Sequence, residues 1–276
     1  MGSKPKARSQ GSDLLIGIDL GGTKILAALV DRQGKILAEA KRPTKADLGQ
    51  DGVIKRIVET VKEAVQLGGV SLNQVRAAGI GAPAPANPDE GLVYNPPNLP
   101  GWGEVALGPR LAEALGLPVL VDNDVNLGTL GEYVSGAGRG ASTMVGIFVG
   151  TGVGGGLVLD GKLHRGFRYA AGELGHMIMV PNGPVCGCGR RGCLEAVASR
   201  TAMERDIRLA LAAGRPSVVA DLLAASKKDR ITSGLMVKAL AEGDSLMQEV
   251  LGAAQFYLGL MAANIVNWLL FEALGG

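Results

Sequence analysis

Aromatic residues are scarce in this chain. Only 4% of its 276 residues are Phe, Trp or Tyr, and there are two histidines and three cysteines. A core of stacked rings is therefore excluded; with 47% hydrophobic residues the interior has to be built from Ala, Val, Leu and Ile. The length suffices for one large or two medium domains. The three cysteines all lie between positions 186 and 193, which excludes a secreted disulfide framework. Charge of one sign is also missing: 28 basic residues face 26 acidic ones. Without Met1–Ser12, which carries Lys4, Lys6 and Arg8 and no acid, 25 face 26, so no basic face for nucleic acid is expected. That opening stretch lacks the apolar centre of a signal peptide and reads as a flexible tail, residues 1–13. A cytoplasmic protein is expected. The one long uncharged run, Val250 to Phe271, could span a bilayer by length. Gln255, Asn264 and Asn267 interrupt it and no basic cluster flanks it, so a buried core helix is expected instead, with no membrane partner.

What is abundant is glycine, 43 residues of it, which implies many tight turns. Leu14 to Asp19, Ile25 to Val30 and Ile36 to Ala40 read as strands joined by turns, a β-meander. Val53 to Leu67 has the spacing of an amphipathic helix, and Val75 to Ile80 is a further strand. A Pro- and Asn-rich loop follows from Asn87 to Gly103; loops this long inside a compact domain are usually functional. The opening pattern then restarts. At a constant offset of 129 positions Ile16-Gly17-Ile18 falls on Val145-Gly146-Ile147, Gly21 on Gly150 and Asp31 on Asp160. Such a duplication dictates architecture. It predicts two related α/β domains, 14–123 and 124–276, each opening with a glycine-turn hairpin and facing the other across a cleft. Helices are expected over about 196–213, 217–226, 231–241 and 245–272.

Three places carry chemistry. The run Pro118 to Val121 ends at Asp122-Asn123-Asp124, and a helical pattern of Leu127, Leu130, Tyr133 and Val134 follows. A buried strand thus delivers Asn123 and Asp124 to a sheet's carboxyl end, where α/β proteins gather ligands. Asp124 is there either as a reacting group or as the cap of the next helix. The turns Gly21-Gly22-Thr23 and Gly150-Thr151-Gly152 bare backbone N–H groups beside a hydroxyl, a concavity suited to phosphate oxygens. Neither is a P-loop, and one such turn alone is an ordinary hairpin tip. The pair in matching positions of a repeat is the stronger sign. Asp19 stands at the first turn where Phe148 stands at the second, and an acid beside a phosphate cradle suggests Mg²⁺. Finally, Cys186, Cys188 and Cys193 with His176 ten residues upstream supply four ligands for tetrahedral zinc. A Cys186–Cys188 disulfide would be badly strained. With four protein ligands no place is left for water, so the ion is structural, in a loop spanning 176–193. His176 would keep its second nitrogen for a ligand, with Glu173 and Glu195 pinned by the same loop.

Asp19-Leu20-Gly21-Gly22-Thr23-Lys24 and Gly150-Thr151-Gly152-Val153-Gly154-Gly155-Gly156 resemble the two phosphate motifs of sugar kinases with the actin-like ATPase (ribonuclease H-like) fold. More narrowly, over about residues 14–270, the chain resembles the repressor/open-reading-frame/kinase (ROK) family, its bacterial glucokinases in particular. The cysteine cluster matches that family's zinc motif. The resemblance implies a two-domain fold and ATP with Mg²⁺ at Asp19, Gly21, Gly22, Thr23, Lys24, Gly150, Thr151 and Gly152. It also implies a hexose held by Asn98, Asn123, Asp124, Glu173, His176 and Glu195, and a homodimer or higher homo-oligomer. Lys24 also suits a solvent-facing strand position, and His164 has no such company and reads as a surface residue.

Phosphoryl transfer to an alcohol needs a base, a cation on the phosphates and donors around the moving group. Asp124 is the expected base, and domain closure would exclude water. The loop Asn95 to Trp102 resembles that of the glucokinase branch and tilts the substrate toward glucose. Mannose, fructose, N-acetylglucosamine and polyphosphate-using kinases share nearly all these residues. A sugar-binding transcriptional regulator is the alternative; residues 1–13 are too short for its helix-turn-helix. The resemblance leads one to expect a further turn, strand and Gly-Gly motif near the adenosine, which Leu274-Gly275-Gly276 does not supply. The C-terminal domain is thus expected to be incomplete as written.

Overall fold

A computed structural model of the chain describes residues 14–226 and 229–270. The expected N-terminal tail and the closing Leu274-Gly275-Gly276 lie outside the described residues. The chain divides into two compact units, Met1–Met144 with Leu157–Ala171, and Val145–Gly156 with Gly172–Gly276.

In the first unit, β1 (Leu14–Leu20), β2 (Lys24–Val30) and β3 (Ile36–Pro43) form the expected meander, followed by α1 (Gly49–Leu67) and β4 (Val75–Ala82). The expected loop after β4 contains three very short strands, β5 (Ala86–Asn87), β6 (Leu92–Tyr94) and β7 (Glu104–Val105), paired in that order. Then come α2 (Leu107–Leu115), β8 (Val119–Asn123) and α3 (Asp124–Ser135). The main sheet has the order β3-β2-β1-β4-β8, with β1, β4 and β8 parallel. Along β1 the side chains alternate strictly: Leu14, Ile16, Ile18 and Leu20 are buried and Asp19 points to the other, exposed face. The buried set joins Ile25 and Leu29 of β2 and Val53, Ile57 and Val61 of α1 in one apolar core.

The repeat continues in β9 (Met144–Val149) and β10 (Val153–Leu159), whose bounds lie within one residue of β1 and β2 shifted by 129 positions. The likeness stops there. The third strand, β11 (Lys162–His164), has three residues where β3 has eight. The boundary expected between 123 and 124 also differs from the observed division, because α3 packs on β4 and β8 and so stays with the first unit.

The second unit continues with α4 (Leu194–Ala198), α5 (Arg200–Ala212), α6 (Val218–Ser226), α7 (Ser233–Ala241) and α8 (Ser245–Ile265), the last extended by a π turn to Leu270. The single helix expected over 196–213 is broken at Ser199. This residue is extended at φ −72°, ψ 160°, and its hydroxyl accepts from the Ala202 N–H, ending one helix and capping the next. The helix Ser245–Leu269 is long and apolar enough to cross a membrane by length and composition. The buried core helix expected from its sequence is buried only in part. One stripe, Ala254, Met261 and Ile265, packs in a core with Leu174 and Leu194, whereas Phe256 and Trp268 are exposed.

Candidate functional site

Each unit carries its own group of the expected residues. In the first unit β8 ends at Asn123, which caps α3: its Oδ1 accepts from the N–H groups of Val125 (3.0 Å) and Asn126 (3.1 Å). Its Nδ2 donates to the Ala84 carbonyl (3.3 Å) and to Asp124 Oδ1 (3.1 Å). Asp124, the first residue of α3, thus has one oxygen held twice, since Oδ1 also accepts from Val125 N–H at 2.9 Å. No bond from another residue to Oδ2 occurs among the described residues. Burial is the main influence on this carboxyl and raises its pKa; the Asp19 charge adds to the rise, and the Val125 and Asn123 donors oppose it. The cap of α3 is Asn123, and Asp124 adds one bond to the Val125 N–H through Oδ1.

Asp19, Gly81 and Asp122 sit side by side across β1, β4 and β8 at the carboxyl end of the parallel strands. A Cβ on Gly81 would lie 3.1 Å from the Asp124 Cα, so a side chain there would push the start of α3 by a few tenths of an ångström. The first glycine turn is closed by the Gly21 N–H donating to the Lys24 carbonyl (2.9 Å). It is braced from behind by Thr44, fully buried, whose hydroxyl donates to the Gly21 carbonyl at 2.6 Å and whose N–H donates to Thr23 at 3.0 Å. Thr23 and Lys24 face solvent. Gly22 packs on Asn98, whose Cβ would be 2.6 Å from a Cβ at Gly22. Asn98 itself is exposed on a loop anchored by the buried Leu99 and Trp102, with Gln50 Nε2 donating to the Trp102 carbonyl (2.8 Å). The phosphate-type turn and the expected sugar-contacting loop therefore touch.

In the second unit the Gly150-Thr151-Gly152 turn is closed by Gly150 N–H to Gly152 (2.8 Å) and braced by α5. Arg200 donates through its backbone N–H to Gly150 (2.9 Å) and through Nη2 to the Thr151 hydroxyl (2.7 Å); the Thr201 hydroxyl donates to the Thr151 carbonyl (2.7 Å). The break at Ser199 frees that first turn of α5 for the purpose. Glu195 connects this turn to the cysteine cluster. Its Oε2 accepts from Val153 N–H (3.1 Å) and its Oε1 from the Cys186 thiol (3.6 Å).

The four expected metal ligands converge, with all their ligand atoms within 4.8 Å of one another. Cys186 Sγ lies 3.6 Å from His176 Nδ1 and Cys188 Sγ 3.7 Å from Cys193 Sγ. A tetrahedral zinc with bonds of about 2.3 Å to sulfur has ligand–ligand edges of about 3.8 Å, so these residues fit a tetrahedral ion. Nδ1 faces the thiols, and Nε2 lies 3.8 Å from the exposed carboxylate of Glu173. Burial pushes the Cys186 thiol up to about 12, whereas the Arg190 backbone N–H draws Cys188 down to about 6. His164 is exposed on β11, as expected of a surface residue.

The ROK family profile matches residues 15–274. The chain belongs to the ROK family. Among its relatives, the glucokinase of Thermotoga maritima is 45% identical over 70% of this chain and 60% of that protein. The glucokinase of Halalkalibacterium halodurans is 35% identical over 91% of this chain and 76% of its own length. The crystal structure of a ROK family glucokinase from Streptomyces griseus, in complex with glucose and AMPPNP, superimposes with a TM-score of 0.79 at 34% identity, covering 92% of this chain and 80% of that one. The α/β architecture is therefore the two-domain actin-like ATPase fold of ROK sugar kinases.

Sequence reasoning did not find Thr44, Asp122, Arg165, Arg200 or Thr201. Each acts on a turn or carboxylate through a partner distant in sequence, and no local motif marks such a pairing.

Proposed function

We propose that this protein transfers the γ-phosphoryl group of ATP to a hexose, converting glucose to glucose 6-phosphate. The observation that carries the proposal is Asp124, a partly buried carboxylate at a strand's carboxyl end with one oxygen fixed and the other open. Kinship with two glucokinases and with a structure holding glucose and AMPPNP supports the choice of sugar and nucleotide.

In this reading Asp124 accepts the proton of the sugar's primary hydroxyl as that oxygen attacks the γ-phosphorus, and ADP departs with the β–γ bridging oxygen. Asn98 and Asn123 orient the sugar, and Asn123 also holds Asp124. Glu173, His176 and Glu195 are the hydroxyl-binding residues of the second unit in this reading. The turns at Gly21–Thr23 and Gly150–Gly152 present N–H groups to the phosphates, with Lys24 near the first. Asp19 would hold Mg²⁺, which supplies positive charge on the phosphates. His176, Cys186, Cys188 and Cys193 would hold a structural Zn²⁺ that fixes Glu195 and the His176 ring. We assign the protein to the cytoplasm, where clustered thiols stay reduced, and to a homodimer by its family.

Incubation with Mg-ATP and glucose, followed by phosphorus NMR of the product, tests this reading: phosphate on the primary oxygen is expected, and phosphate elsewhere or none contradicts it. Titration of Asp124 in the free protein gives a second check. The Asp19 charge raises the pKa of Asp124, so Asp19→Asn removes a like charge and lowers that pKa. Followed by NMR without Mg²⁺ or nucleotide, the Asp124 carboxyl is then expected to titrate at lower pH in the variant than in wild type. A midpoint that stays or moves upward contradicts that coupling.

A further inference from the structure

Asp122 is 4% exposed, a carboxylate placed where an unpaired charge is costly. It accepts three N–H hydrogen bonds and makes one further ion-pair contact. Oδ2 takes both Arg165 Nε and Arg165 Nη2, each at 2.8 Å, and Oδ1 takes the Asn123 backbone N–H (2.8 Å) and Asn126 Nδ2 (3.2 Å). Arg165 is the only cation paired with it among the described residues. That arginine follows β11 and opens a small loop closed by the Ala171 N–H donating to the Arg165 carbonyl at 2.9 Å. One side of Asp122 is thus neutralised, and the other grips the residue before Asp124 and the first turn of α3.

A buried ion pair adds little net stability over an apolar pair of similar volume. What it fixes well is geometry, through charge-assisted bonds of defined direction. Asn123 is held by Asp122 through its backbone and by α3 and Ala84 through its side chain, and it passes that order to Asp124 through the 3.1 Å amide contact. We propose that Arg165 is a positioning residue for phosphoryl transfer, acting through Asp122 to set the Asn123–Asp124 corner. The proposal rests on the reading of Asp124 as the base.

The test compares wild type with Arg165→Met, Arg165→Lys and the double variant Asp122→Asn/Arg165→Met. Displacement of a reacting group by about 1 Å costs on the order of a hundredfold. Arg165→Met is therefore expected to lose kcat on that order, with the KM values for glucose and ATP within about threefold of wild type. Lysine, which keeps the charge, is expected to recover part of the loss, and the double variant part of it by removing the stranded carboxylate. Amide hydrogen exchange reads the corner without activity: Val125 and Asn126 are expected to lose protection in Arg165→Met while the β1 amides keep theirs. Unchanged kcat together with unchanged protection would overturn the proposal, as would a rise in KM that accounts for the whole loss. If Arg165→Met does not fold, the lysine and double variants decide: equal loss in both, with wild-type protection at Val125 and Asn126, overturns it. A wild type without hexose-dependent turnover would instead refute the kinase reading, and the exchange data would still decide whether Arg165 orders the corner.

Discussion

Asp124→Asn is expected to lower kcat by about 10²–10⁴-fold, the range a general base contributes, while glucose affinity stays within a few fold. The replacement is nearly isosteric. The amide oxygen can take over the bonds from Val125 N–H and Asn123 Nδ2 that Oδ1 now accepts. What is lost is the open oxygen that receives the proton. Stability should move the other way. The folded-state pKa of Asp124 lies above its ordinary value, mainly through burial. Its ionised form is therefore disfavoured by folding, and this cost is absent below the unfolded pKa and fully present above the folded one. At neutral pH the asparagine variant is expected to melt at or above the wild-type temperature. Lost turnover with undiminished Tm would separate a catalytic role from a structural one. Turnover close to wild type would remove Asp124 as the base.

The second large effect concerns the cysteine cluster. Cys186 and Cys193 are 3% and 0% exposed, and besides backbone bonds such as Met179 N–H to Gly192 (2.8 Å) and Cys186 N–H to Arg190 (2.8 Å) their apolar packing is confined to Ala196. Purified protein is expected to contain about one zinc per chain, and Cys193→Ser to lose it. Losing a structural zinc costs several kcal/mol, which for a domain of this size lowers Tm by about 10 °C. Because Glu195 follows Cys193 by two residues at the start of α4 and accepts from the Val153 N–H, loosening the cluster should also weaken glucose binding. Less than about half an equivalent of metal with thiols reduced, or an unchanged Tm after chelation, would contradict the site.

Much of this was legible in the sequence because the signals were local. The hairpins β1–β2 and β9–β10 announce themselves by alternating apolar residues around a glycine turn, and their repetition needs only comparison at one offset. The metal cluster is equally local, with three of its ligands within eight residues. The limits have physical causes too. Two-residue strands such as β5 and β7 are too short to show a period, so the segment 87–103 read as loop. Ser199 breaks a helix whose apolar spacing continues through it, and only the cap geometry shows the break. The uncharged run of α8 suggested a buried core helix, but its neighbours α4, α5 and α7 cover one stripe. Arg165 and Asp122 are 43 residues apart, and nothing in either neighbourhood predicts their pairing.

Sugar-dependent use of ATP is decided by ADP release from Mg-ATP across a panel of hexoses, with Asp124→Asn beside the wild type. Saturable, glucose-stimulated release that exceeds the sugar-free rate and collapses in the variant is expected of a glucose kinase with Asp124 as base. Saturable glucose binding with no release above the sugar-free rate would refute the kinase and point to a sugar-responsive regulator.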